Sequence, residues 1–194
     1  MNETVVINAY IVISIIIAAT DILLAVKSFK KNKTTGRFLG FACVGAAIVD
    51  ISYLISIISD SYMCMAAMSS IYFISIDFML VSLLIFTVYF TKGKFSEYGK
   101  WMVTFCFLYC IYELIVFAVN PFMEIAIEYK PRDTLIAKYS YQMKPLYELH
   151  LIFSYVMVLL VVGLLIRKIC KIPHEYRWQY LSVIIGILII VGSN

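Results

Sequence analysis

Charge is scarce in this chain. Asp, Glu, Lys and Arg make up 14% of the 194 residues, hydrophobic residues make up 63%, and the mean hydropathy is +0.93. A soluble domain holds about 45–50% apolar residues and about 25% charged ones, so that class is excluded. The charges fall between apolar blocks of about 17–25 residues, each long enough to cross a ~30 Å hydrocarbon core as a helix. A helix satisfies its own backbone hydrogen bonds there. The expected fold is all-α, a polytopic helical membrane bundle.

Other absences narrow the function. Five cysteines occur, but no C-x-x-C and no evident disulfide partner. Cys106 and Cys110 share a helix face at i, i+4, and buried packing thiols are favoured there over a metal pair. No H-E-x-x-H, G-x-S-x-G or phosphate-binding glycine loop is present. The chain is therefore not read as an enzyme, and no cofactor or metal is assigned. The Met1-Asn2-Glu3 start carries no basic residue, which argues against a cleavable signal peptide. No lysine lies within the apolar segments, which leaves a retinal Schiff base without an attachment point among them.

Six apolar segments remain, at roughly 5–26, 38–59, 66–90, 101–119, 146–166 and 178–194. Three connections are basic: Lys27 to Arg37, Lys92 to Lys100, and Arg167 to Arg177. They hold twelve of the sixteen Lys and Arg, and the segment at 120–145 holds the other four. Basic loops stay cytoplasmic, so the N-terminus and the 120–145 loop are expected outside, in a multi-pass plasma-membrane protein. The chain stops at Gly192-Ser193-Asn194 as the sixth span arrives outside, and is expected to be cut short of a seventh helix and a cytoplasmic domain.

The outward segment is the main place for a water-soluble molecule to meet this chain, and it holds Pro121, Pro131 and Pro145. Cys106, Tyr109, Glu113, Phe117 and Asn120 fall at helical spacing on its first wall, and Tyr147, His150 and Ser154 on its second. Tyr109, Glu113, Asn120, Tyr147, His150 and Ser154 are the expected ligand-binding residues of an outward-opening pocket. An aromatic belt at the interface is the competing explanation for Tyr109 and Tyr147. Ionisable residues within spans are costly and are functional candidates by default. Asp50 and Asp77 sit near the middle of spans two and three, either hydrogen-bonded to tyrosine and serine hydroxyls as packing groups or lining a proton path. Asp21 lies nearer its span's cytoplasmic end and reads as a snorkelling or packing residue.

Several strings resemble one family: IYFISIDFMLVSLLIFTVYFTK (71–92), VNPFMEIAIEY (119–129), MKPLYELHLIFSYVMVL (143–159) and PHEYRWQYLSVIIGILIIVGSN (173–194). In order, they resemble the N-terminal seven-helix sensing region of bacterial histidine kinases, over essentially the whole chain. Asp77 with N-P-F-x-E-I-A at Asn120 to Ala126 is most similar to versions joined to a diguanylate cyclase. Met123 departs from the histidine often found after N-P-F. The resemblance implies a sensor that binds a small extracellular ligand near spans three to five and relays it to a C-terminal cytoplasmic effector. Its partners are then the lipid bilayer, the ligand, the effector and, for assembly, a second copy as a homodimer, with no nucleic acid. A small proton-coupled transporter using Asp50 and Asp77 is the alternative. No internal repeat and no proline in spans one to four support that alternative.

Overall fold

The computed structural model describes residues 3–31, 33–132 and 138–192. Residues 1–2, 32, 133–137 and 193–194 lie outside the described residues. Six helices run α1 Glu3–Lys30, α2 Thr34–Ile58, α3 Tyr62–Lys92, α4 Glu97–Met123, α5 Pro145–Ile169 and α6 Arg177–Gly192. The first five are long and apolar enough to cross a membrane, and α6 is described over 16 residues. Their ends follow local chemistry. The Ser61 and Ser96 hydroxyls cap α3 and α4 by accepting from Cys64 N and Gly99 N. Gly93, at φ 75°, closes α3 in the left-handed region, and Pro145 opens α5 where no helical N–H is lost.

Helix α3 is the axis. It packs against α2, α4 and α5, with α1 on the outer side of α2 and α6 beside α5. Its buried positions mix apolar residues with Ser69, Ser70, Ser75, Ser82, Thr87 and Thr91. The facing side of α2 buries Gly40, Ala42, Gly45, Ala47, Ser52 and Ser56. Between helices in lipid there is little hydrophobic drive, and small residues let backbones approach closely. At Gly45 a Cβ would lie 2.9 Å from Met79 Cβ and 3.1 Å from Met79 Cα. Several buried hydroxyls are satisfied within their own helices, as in Ser52 to Ile48 O at 2.6 Å and Thr91 to Thr87 O at 2.7 Å. In contrast, α1 turns Val12, Ile13, Ile16 and Leu23 outward, as a lipid-facing helix does.

The segment at 120–145 differs from a plain loop. Helix α4 runs four residues past the expected end at 119, so Pro121 lies inside it. Proline there forgoes the helical N–H bond to the residue 117 carbonyl, and its place in the last turn confines the disturbance to the end of the helix. The chain leaves through Glu124, a left-handed C-cap at φ 49°. Tyr62 donates to the Glu124 carboxylate and Lys144 Nζ to the Glu124 carbonyl at 2.6 Å. Both hold a conformation that non-glycine residues adopt at some cost. Next come strands β1 Ile127–Pro131 and β2 Tyr139–Met143, paired antiparallel with Ile127 opposite Met143 and Tyr129 opposite Tyr141.

This hairpin is packed against the bundle. Ala126, Ile127 and Tyr129 are buried in one cluster with Met65, Ala66, Phe73, Val116 and Phe117. Lys138 pairs with Asp60 in the α2–α3 turn, and Tyr62 contacts the rings of Tyr129 and Tyr139 edge-on. A second cluster, including Leu84, Met157, Val161, Leu165 and Ile184, fills the other half of the bundle. Cys106 belongs to it, with Sγ 3.4 Å from Met157 Sδ, so that thiol packs as expected.

Candidate functional site

Between the two apolar clusters lies a polar group built from three helices. Asp77 is the central residue of α3, Glu113 lies past the middle of α4, and His150 lies in the second turn of α5. Their exposures are 2%, 1% and 2%. His150 Nδ1 is 3.2 Å from Glu113 Oε2 and 3.5 Å from Asp77 Oδ1. One imidazole nitrogen thus faces two carboxylates. Both Asp77 oxygens lack a hydrogen-bond partner, and no lysine or arginine among the described residues forms an ion pair with either acid. The imidazole is held by aromatic rings: Phe73 at 5.4 Å and Phe117 at 5.1 Å, both edge-on at 81°. Phe73 and Phe117 stack on each other at 4.9 Å.

The other expected site residues divide. Tyr109 stacks on Phe153 at 3.8 Å, and its hydroxyl is buried beside Glu113 without reaching hydrogen-bond geometry. Tyr147 meets Phe73 edge-on at 5.3 Å and lies 6.0 Å from the His150 ring. Ser154 Oγ is buried without a partner. Asn120 serves the hairpin instead. Its Oδ1 accepts from Ala126 N at 2.8 Å and Ile127 N at 3.0 Å. Its Nδ2 donates to Ile127 O at 3.2 Å and Tyr129 Oη at 3.4 Å. Those bonds use the full capacity of a side-chain amide.

The pattern has a structural reason. Lys144 N donates to Ala126 O, and Arg132 N to Lys138 O. Antiparallel pairs alternate between bonded and non-bonded, so the Ile127–Met143 pair is non-bonded and Ile127 turns its N–H and C=O away from β2. The Asn120 amide meets both groups and stands in for a neighbouring strand on a buried sheet edge. The repeat that placed Asn120 on the Glu113 stripe is correct for helix α4; its partner is the hairpin that follows it.

The two acids expected at midplane lie in different surroundings. Asp50 is half-buried, with Asp21 of α1 beside it. Asp77 joins Glu113 and His150 instead of tyrosine or serine hydroxyls. Spacing along one helix could not assign Asp77 to this group, because the pairing depends on how α3 and α5 are set in depth and rotation.

The sequence model of one family, described as the N-terminal 7TM region of histidine kinase, matches residues 9–194. The chain belongs to that family. No curated protein and no solved structure matches it. As a member, this sensor domain is a membrane-embedded, non-catalytic signal-sensing module. Its multi-pass helical architecture agrees.

Proposed function

We propose that this domain binds a small extracellular ligand where α3, α4 and α5 meet beneath the hairpin, and passes the binding energy to a C-terminal cytoplasmic output domain. A diguanylate cyclase is preferred over a histidine kinase, on the resemblance of the Asn120–Ala126 string. The observation that carries the reading is the buried Asp77–Glu113–His150 group, set among aromatic rings and one helical turn or so below the start of α5. Pockets for small molecules combine an apolar lining with a few convergent polar groups. The basic connections support an outward-facing hairpin, and with it ligand access from outside the plasma membrane.

A ligand shifts the bundle only by its differential affinity for two arrangements. Moving the output from mostly off to mostly on takes about 5.5 kcal/mol of that difference. A group shared by three helices suits such a change, since sliding any one helix alters contacts to the other two. In the full-length protein, Glu113→Ala or His150→Ala abolishes the ligand response while membrane insertion persists. Output activity against ligand dose, with membrane fractionation, reads both. Unchanged dose–response curves in both variants would remove the assignment.

A further inference from the structure

We infer that Asp77, Glu113 and His150 bind one divalent first-row transition-metal ion, with Zn²⁺ as the ion of choice. Each residue offers one ligand atom, and the three atoms lie within 4.8 Å of one another. The two edges at His150 Nδ1 measure 3.2 and 3.5 Å. Two ligands at opposite ends of a tetrahedral edge, with bonds of about 2.1 Å, stand about 3.4 Å apart. The nitrogen is therefore already spaced from both carboxylates as a tetrahedral ion requires.

Hydrogen bonding alone serves the group poorly. The imidazole Nδ1 carries at most one proton, and it faces two carboxylates. Asp77 is buried at 2% exposure, and both of its oxygens lack donors. A cation among the three satisfies both acids at once. Once deprotonated, two carboxylates with a neutral imidazole carry two negative charges, which a divalent ion would cancel within a bundle core. The donors select the class of ion. Calcium and magnesium prefer all-oxygen sites with six or more ligands, whereas one imidazole with two carboxylates suits Zn²⁺ and its neighbours.

Three protein ligands leave a fourth position open, as in zinc sites that bind an exchangeable group. The Tyr109 hydroxyl is buried beside Glu113 with no hydrogen-bond partner of its own. Phe73 and Phe117 fix the imidazole plane. The site takes its place in signalling from the function proposed above and rests on that reading for this alone. Metal content and ligand dose–response fail separately.

The test uses the full chain purified in detergent, stripped with a chelator and titrated with Zn²⁺. Metal content is read by mass spectrometry, and folding by helical circular dichroism. The expected result is about one Zn²⁺ per chain, kept in Asp50→Asn and His174→Ala and weakened at least about tenfold in Asp77→Asn and His150→Ala. Stoichiometric binding absent from the unaltered chain would overturn the site and leave a proton-bridged triad. Binding lost in His174→Ala but kept in His150→Ala would also overturn it, as adventitious capture by a surface histidine. If the core variants do not fold, X-ray absorption of the Co²⁺-loaded unaltered chain decides. One imidazole with oxygen ligands is expected; none, or two, refutes the assignment.

Discussion

Replacing Asn120 with alanine should loosen the hairpin from the bundle. Asn120 is fully buried at 0% exposure, and its amide makes four hydrogen bonds, three to the backbone of Ala126 and Ile127 and one to Tyr129. The backbone groups cannot turn to β2, because the 127–143 pair is of the non-bonded kind. Alanine therefore leaves two N–H groups and a carbonyl without partners in a buried place. A typical bond contributes about 1 kcal/mol net, and an orphaned buried group costs about 1–3 kcal/mol. Local relaxation and entering water recover part of this, so a loss of about 3 kcal/mol is expected in hairpin stability. Amide hydrogen exchange resolves the effect, because local opening energies read out segment by segment. Protection at Ala126 and Ile127 should fall by about a hundredfold or more, at 1.4 kcal/mol per factor of ten. Protection in the lower half of α3 should be unchanged. Gln142→Ala on the exposed side of β2 is the reference, with an effect within about 0.5 kcal/mol. Unaltered protection at residues 126 and 127 in Asn120→Ala would refute the view that this amide substitutes for a strand.

Gly45→Val places a branched side chain where a single Cβ already comes within 2.9 Å of Met79 Cβ. A destabilisation of about 1–3 kcal/mol is expected, read as a lower thermal midpoint in detergent, and an unchanged midpoint would show that α2 and α3 are not closely packed there. Burial pushes the Tyr129 phenol up from its ordinary value near 10. The folded hairpin then binds more protons than the unfolded chain above pH 10 or so, so this contribution is full below the unfolded value and is lost as pH rises through the folded one. Hairpin exchange rates should rise in strong alkali, with the tyrosinate absorbance of Tyr129 appearing later than that of exposed tyrosines; ionisation at an ordinary pH would contradict its burial. Cys170 is exposed at the end of α5 within a basic connection, whereas Cys106 is buried. A membrane-impermeant thiol reagent should label Cys170 only after cells are permeabilised, and labelling of Cys170 in intact cells would reverse the proposed orientation.

The sequence determined the class of protein, the positions of its helices and the residue types at its centre. Hydropathy suffices for this, because each span must satisfy its own backbone in lipid and so announces itself by length and polarity. The same cost made Asp77 and Glu113 conspicuous, and helical spacing placed Tyr109 with Glu113 at i, i+4 and Tyr147 with His150 at i, i+3. What lay between helices was decided only in the folded bundle. Asp50 and Asp77 look alike along the chain, yet one meets Asp21 and the other meets His150 and Glu113. Pro121 and the stretch after it read as an irregular loop, but become the last turn of α4 and a hairpin whose inner edge is closed by Asn120. Periodicity fixes which residues share a face of one helix. Which faces meet, and at what depth, depends on close approach at small residues such as Gly45 and on the anchoring of the hairpin to α3 and α4, and these are tertiary contacts that no single helix encodes.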